Sequence, residues 1–163
     1  MRDFMVKIVR DTREHSGHGW QFNKTKDCEG TLEKKLDYGD YSIEGYEGDF
    51  VVERKGSVSE FINNLFTADK DRFLRELENL STFKHAWVVC EFTLGDISSH
   101  LNMLANSRWK KKKSFYITID KVLGFVASLM IQYKVPILFC GPYGKNLSKK
   151  LLLKAVKYSN GDN

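Results

Sequence analysis

Short apolar runs separated by polar turns predict the strands of this chain. A β-rich stretch covers 5–9, and 41–44 and 50–53 form a hairpin around a loop rich in glycine and acidic residues. Two further apolar runs, 86–92 and 135–140, are compact enough to predict buried strands. The pattern therefore predicts a sheet that combines a hairpin with strands contributed from distant parts of the chain.

Apolar residues at helical spacing predict helices between and after these strands. Ser57 and Glu60 form a capping box, which predicts that the first helix covers 57–66. A second helix is predicted over 69–80 and a third over 122–133. A terminal helix carries lysines on its outward side: Lys149, Lys150, Lys154 and Lys157.

The order of these elements is strand, hairpin, two helices, strand, helix, strand, helix. The alternation of strands and helices in the later part predicts an α/β fold with a mixed central sheet flanked by helices. Residues 14–30, rich in Gly, His, Lys and Asn, are typical of a loop. Residues 93–118 are the least regular and are expected to form an exposed excursion. The length of 163 residues fits a single domain over 1–163.

The net charge of +5 and the pI of about 9.0 favour a polyanionic partner such as nucleic acid, although the signal is weak alone. No apolar run is long enough to span a membrane, and the charged N-terminus is not a secretory signal. Three widely spaced cysteines indicate a reducing compartment without a disulfide framework. We expect an intracellular protein, in the cytoplasm of a prokaryotic or virus-infected cell rather than in a nucleus.

The charged end of the 50–53 strand is the candidate for chemistry. Glu53 and Lys55 are two positions apart on a strand, so their side chains point to the same face and that of Arg54 to the other. Asp40 begins the adjoining hairpin strand and can approach them. Two carboxylates can hold Mg²⁺, and a neighbouring ammonium can orient water, which is what phosphodiester hydrolysis requires. A solvated strand face is the alternative, but these charges end an apolar run and a second acid lies close.

Several motifs together resemble the XPF/Hef nuclease domain, a branch of the PD-(D/E)xK nucleases with a restriction-endonuclease-like fold. The resemblance covers nearly the whole chain and rests on DTRE at 11–14, GDYSIEG at 39–45, VVERKGSVSEF at 51–61, RFLRELENL at 72–80, and the later VVCEF and GFVASLMIQYKVPILFCG. It implies that Asp40 and Glu53 bind Mg²⁺ or Mn²⁺ and that Lys55 orients the attacking water. Arg54 completes the ERK motif in a structural or phosphate-directed role.

The resemblance also assigns the first acidic motif, Asp11, Arg13 and Glu14, to the edge of the site. Asp11 and Glu14 are candidate catalytic residues and Arg13 a candidate DNA contact. A structural salt bridge that holds Arg13 explains the same residues equally well.

One position departs from the family pattern. The family has an aspartate four residues after the lysine, where this chain has Ser59, followed by Glu60. Treating Gly56 as an insertion would align Glu60 with that aspartate. The preferred interpretation of Glu60 is the capping box, with Ser59 leaving one metal ligand to be replaced by water.

A basic segment at 108–113 is the candidate DNA-binding region: Arg108, Lys110, Lys111, Lys112 and Lys113. The alternative is an exposed lysine loop. The aromatic residues Phe115 and Tyr116 are expected in the core. A zinc site at His15, His18 and Cys28 lacks a fourth ligand at suitable spacing and is not favoured.

The sequence therefore predicts a metal-dependent DNA endonuclease, acting on branched DNA or on single-strand/duplex junctions. The alternatives are a catalytically degenerate DNA-binding scaffold of the same fold and a basic protein-interaction domain. The family often carries a helix-hairpin-helix module after the nuclease domain. None follows here, so we expect a stand-alone form that is targeted by a protein partner or forms a homodimer.

Overall fold

The computed structural model describes residues 5–14, 17–106 and 117–161. Within them, six strands form one mixed sheet: β1 (Val6–Arg10), β2 (Cys28–Glu33), β3 (Tyr41–Ile43), β4 (Phe50–Lys55), β5 (His85–Cys90) and β6 (Ile137–Phe139). The helices are α1 (Val58–Phe66), α2 (Lys70–Leu80), α3 (Leu94–Asn106), α4 (Ile119–Tyr133) and α5 (Gly144–Ser159). The α/β class and the mixed sheet flanked by helices are confirmed.

The strands lie in the order β2-β1-β3-β4-β5-β6. β3 pairs antiparallel with β4, as the predicted hairpin requires, and it also pairs antiparallel with β1. The pairs β1–β2, β4–β5 and β5–β6 are parallel. The carboxyl ends of β4, β5 and β6 therefore meet at one edge of the sheet. Side chains that follow these strands are brought together there.

Two apolar cores lie on opposite faces of the sheet. Helices α1 to α4 cover one face, where Phe61, Phe73 and Leu77 are fully buried against β4 and β5. Helix α5 and the loop before β2 cover the other face, where Leu152 and Trp20 pack on the inner strands. Because β4 is buried on both faces, the charged residues at its end are fixed by packing on either side.

Two elements differ from the sequence-based expectations. Residues 28–30 belong to the predicted loop at 14–30 and no element is predicted for 31–33, but 28–33 form β2, which pairs parallel with β1. Residues 94–106 lie in the expected exposed excursion but form α3, whose Ile97 and Leu101 are buried. The prediction of an exposed excursion is thus wrong for 94–106. Residues 107–116, which belong to the same predicted excursion, lie outside the described residues.

In the described part of the chain, no helix combines the length and the apolar character needed to cross a membrane.

Candidate active site

An open cleft of about 390 Å³ lies at the carboxyl end of β4. Four segments line it: the loop after β1, the turn before β3, the end of β4 and the start of α1. The lining residues are Glu14, His18, Asp40, Glu53, Arg54, Gly56, Ser57 and Glu60. Four of these side chains are carboxylates that come from separate parts of the chain, so the fold concentrates negative charge here.

Strand β4 places Glu53 and Lys55 on one face, as the two-residue period predicts. The Lys55 ammonium lies 3.0 Å from Glu53 Oε1 and 3.2 Å from Glu76 Oε2, and 5.0 Å from the centre of the Phe73 ring. Burial alone would lower the pKa of Lys55, because it disfavours the charged ammonium. The charges of Glu53 and Glu76 outweigh this effect, so the pKa of Lys55 is raised. Lys55 is therefore a charged, buried and fixed cation between two carboxylates.

The turn before β3 directs Asp40 toward the same place. Asp40 N–H donates to Val52 O at 2.9 Å, and its Oδ2 accepts from Arg54 N–H at 2.7 Å. Gly39 adopts φ +74°, and a Cβ there would lie 2.1 Å from Val51 Cγ2. Glycine is thus required before Asp40, because a side chain would push the turn away from β4.

Asp40 and Glu53 are electrostatically unfavourable neighbours. Burial, and then the charge of Glu53, raise the pKa of Asp40 well above its ordinary value, although the Arg54 N–H bond opposes the shift. Burial also raises the pKa of Glu53, while Lys55 lowers it in part. Lys55 offsets this repulsion only in part, and a divalent cation bound between the two acids would stabilise both as anions.

Asp40 and Glu53 therefore fit the donor set of a hard divalent cation such as Mg²⁺ or Mn²⁺, which prefers oxygen ligands. In the described ranges, no group of three or more His, Cys, Asp or Glu side chains is arranged to hold a metal ion. Mg²⁺ commonly binds through one or two carboxylates together with water and phosphate oxygens. A two-carboxylate site in an open cleft matches that habit.

Arg54 leaves β4 on the opposite face and still lines the cleft. Its guanidinium lies 2.7 Å from Glu91 Oε2 and 3.4 Å from Glu14 Oε2, and 5.8 Å from the centre of the Trp20 ring. Trp20 Nε1–H in turn donates to Glu91 Oε1 at 2.5 Å. These contacts tie the loop after β1 to the end of β5 across the cleft floor.

The residues of the first acidic motif divide between two roles. Asp11 is buried, with Oδ2 accepting from Arg13 Nε–H at 2.5 Å and Oδ1 from Leu36 N–H at 2.9 Å. This geometry favours the structural salt bridge over a catalytic role for Asp11, and Arg13 also donates to Leu36 O. Glu14 instead lines the cleft and accepts from the Tyr41 hydroxyl at 2.7 Å.

The start of α1 bears on the alternatives for Ser59 and Glu60. Ser57 is the N-cap and its Oγ accepts from Glu60 N–H at 3.2 Å, which is one of the two bonds of a capping box. Both Ser59 and Glu60 are exposed, but Glu60 is among the residues that line the cleft and Ser59 is not. A residue that both caps the helix and lines the cleft is what the alignment with Gly56 as an insertion predicts.

Three contributors were not recognised from the sequence as site residues. Glu76 from α2 pairs with Lys55, Glu91 after β5 pairs with Arg54, and His18 lines the cleft. Only the apolar spacing of α2, which directs Glu76 to the side of Phe73, could have indicated Glu76. The position of Glu91 depends on the pairing of β4 with β5, and this pairing leaves no local signal in the sequence.

The other predicted residues lie elsewhere. Cys28 is buried at the start of β2, and His15 lies outside the described residues. The predicted DNA-binding segment and the two aromatic residues after it also lie outside the described residues: Arg108, Lys110, Lys111, Lys112, Lys113, Phe115 and Tyr116. Their roles stay predictions.

Comparison with solved structures finds XPF from Aeropyrum pernix twice. One structure matches with a TM-score of 0.57 and covers 94% of this chain and 65% of that chain at 17% identity. The other, XPF from Aeropyrum pernix in complex with DNA, matches with a TM-score of 0.60 and 17% identity. This match covers 94% of this chain and 66% of that chain. The chain thus spans just under two thirds of the length of these structures. Comparison with curated protein sequences finds no match.

The six-stranded mixed sheet and its helices form the same fold as these XPF structures. The ERCC4 domain matches residues 10–143, which is most of the chain. The chain belongs to the ERCC4 domain family.

Proposed function

We propose that this chain is a metal-dependent DNA endonuclease that hydrolyses phosphodiester bonds in the cleft. The observation that carries the proposal is the convergence of Asp40 and Glu53 beside Lys55, with the pKa of both acids raised. Family membership supports it, and the structural relative bound to DNA supports DNA as the substrate class. A junction between single-stranded and duplex DNA is the proposed preference.

Asp40 and Glu53 are proposed to hold Mg²⁺ or Mn²⁺. A divalent cation there would polarise a phosphate oxygen and lower the pKa of a bound water. Glu14 and Glu60 add negative charge at the cleft wall, which strengthens attraction for a cation. The carboxylates also repel a phosphate, and a bound cation would offset this repulsion.

Lys55 is proposed to orient the attacking water and to stabilise charge on the phosphate. Its ammonium has three N–H donors. Two of them are directed at Glu53 and Glu76, and we assign the third to an oxygen of water or substrate that reaches this buried ammonium from the cleft beside Glu53. Because Lys55 is buried and paired on both sides, this donor has a fixed direction, which favours stabilisation of a developing charge.

Arg54 is proposed to act chiefly as a positioning residue. Its guanidinium is engaged by Glu91 and Glu14, and its backbone N–H holds Asp40 Oδ2. A change of its side chain would therefore displace the loop that carries Glu14, and with it one wall of the cleft.

The proposal is tested by incubating the protein with labelled single-stranded, duplex, flap and forked DNAs in Mg²⁺, Mn²⁺ or EDTA. We expect cleavage within the chain of at least one DNA, present with either metal and absent in EDTA. Tight binding of the same DNAs without cleavage under every metal condition would instead favour a degenerate scaffold.

A further inference from the structure

Helix α5 begins beside the cleft and runs along the strands to the end of the sheet opposite the cleft. At its start, an added Cβ on Gly144 would lie 3.5 Å from Trp20 Cζ2 and 3.6 Å from Glu91 Cγ, and Glu91 is the partner of Arg54. At its end, Lys84 Nζ donates to Ser159 Oγ at 3.1 Å. Lys84 directly precedes β5, so α5 runs from the cleft at the carboxyl end of the strands to the amino end of β5.

Helix α5 is strongly basic. It contains no Asp or Glu and carries five lysines: Lys145, Lys149, Lys150, Lys154 and Lys157. Lys149 lies 3.9 Å from Asp27, and Lys145 lies 5.7 Å from the centre of the Phe22 ring. Among the described residues, no ion pair engages Lys150, Lys154 or Lys157, and all three are exposed.

These three lysines share one direction. At about 100° per residue, they lie within an arc of about 60°. Leu152, Ala155 and Val156 face the sheet on the opposite side of the helix. The lysines therefore project straight away from the protein body.

Such an arrangement is unfavourable without a partner. Like charges three or four residues apart on a helix repel one another and destabilise it. A row of phosphates removes this repulsion. A duplex arm that leaves the cleft supplies such a row along the length of α5.

We propose that the lysine face of α5, formed by Lys150, Lys154 and Lys157, binds the phosphate backbone of a duplex arm extending from the cleft. This proposal rests on the proposed function, because it takes DNA as the substrate. With 16 residues, α5 is about 24 Å long, which corresponds to about seven base pairs. The face thus recognises duplex next to the cutting site without reading its sequence.

The test uses a double charge reversal, Lys150→Glu/Lys157→Glu, and a matched control on the other side of the sheet, Arg72→Glu/Arg75→Glu. Both variants change the net charge by the same amount. Affinities are measured by fluorescence anisotropy in EDTA, at several salt concentrations, for DNA hairpins with one single-stranded tail and stems of about 4 or about 12 base pairs. Circular dichroism confirms that both variants fold.

For the long stem, we expect Lys150→Glu/Lys157→Glu to weaken binding by about tenfold or more. The slope of log affinity against log salt should fall by about two, since two phosphate contacts are lost. Binding of the short stem should change little, and the control should bind both stems like the wild type.

Equal losses in both double variants would show a general charge effect and would overturn the proposal. So would an unchanged salt slope, or an equal loss for both stem lengths, because the lysines would then not follow the duplex arm. Binding in EDTA does not depend on cleavage. A protein that binds the long stem through α5 but cuts no DNA would therefore contradict the proposed function alone.

Discussion

At the scale of single residues, the central feature is a pair of acids that the fold holds in an unfavourable state. The pKa of both Asp40 and Glu53 is raised, first by burial. Between the ordinary pKa near 4 and the raised value, the folded protein keeps protons that the unfolded chain has lost. Stability contributed by these groups is therefore present at low pH and falls as the pH rises through the folded pKa.

This imbalance predicts that Asp40→Asn stabilises the protein at neutral pH in EDTA. The substitution removes a buried negative charge while the amide oxygen can still accept from Arg54 N–H. For a chain of this size, each kcal/mol of stabilisation raises Tm by about 2–4 °C. Thermal melts at acidic and neutral pH measure the effect, which should disappear at low pH.

The matched control is Asp49→Asn, an exposed acid in the hairpin loop. Mg²⁺ should raise the Tm of the wild type and of this control, and raise that of Asp40→Asn less. If Asp40→Asn destabilises at every pH, the carboxylate is a satisfied structural group and the electrostatic interpretation is wrong.

The start of α1 allows a second prediction at this scale. Because Glu60 lines the cleft and Ser59 does not, Glu60→Gln should increase the Mg²⁺ concentration needed for half-maximal cleavage by several-fold, whereas Ser59→Ala should leave it unchanged. Glutamine keeps the backbone cap to Ser57. If the Mg²⁺ concentration for half-maximal cleavage changes in Ser59→Ala and not in Glu60→Gln, the alignment that places Ser59 at the family's aspartate is correct instead.

Much of the cleft could be predicted from the sequence because its main residues lie close together in the chain. Glu53 and Lys55 share a strand, and Asp40 lies on the hairpin partner, so local geometry places them. Glu76 and Glu91 could not be predicted in the same way. Their contacts with Lys55 and Arg54 depend on how α2 packs and how β5 pairs, which are long-range properties.

At the scale of elements, the clear periodic patterns gave the correct strands and helices, and the weak patterns did not. In β2, the sequence CEGTLE has few apolar residues, and Gly30 adopts φ +115° at an irregular register with β1. Its pairing with β1 and the bond from Phe22 N–H to Thr31 Oγ1 at 2.6 Å stabilise it, rather than intrinsic propensity. Tertiary contacts thus override a loop-like composition.

Helix α3 was missed because only two of its residues are buried, Ile97 and Leu101, within a polar and serine-containing segment. Its role predicts that Ile97→Ala lowers the free energy of unfolding by about 2–5 kcal/mol, as removal of a fully buried side chain does. Met103→Ala on the exposed side should change it by less than about 0.5 kcal/mol. Urea denaturation of both variants measures the difference. Similar small effects would show that α3 contributes little to the core.

At the scale of the whole molecule, acidic and basic charges are separated in space. Among the described residues, the cleft collects carboxylates, whereas unpaired lysines follow the outer side of α5. A polyanion is thus attracted to the molecule as a whole, and a cation bound in the cleft would favour the entry of a phosphate there. This separation explains how one basic protein can both hold DNA and bind a metal.

The predicted role of 110–113 can be tested independently of α5. Replacing Lys110, Lys111, Lys112 and Lys113 by alanine should weaken DNA binding and lower the salt slope by up to about four, roughly one for each lost phosphate contact. Alanine at the exposed Lys35 serves as the control. An unchanged slope would show that this segment is only a solvated loop.

The central claim is that Asp40 and Glu53 form a metal site for DNA cleavage, and Glu53→Gln tests it most directly. The rate at saturating Mg²⁺ on the preferred DNA is compared with that of the wild type and of Glu78→Gln, an exposed control on α2. We expect Glu53→Gln to be about a thousandfold slower, since a metal contributes several kcal/mol and each 1.4 kcal/mol is about tenfold. DNA affinity in EDTA should be retained, and Glu78→Gln should cut normally. Cleavage by Glu53→Gln at the wild-type rate would contradict the claim.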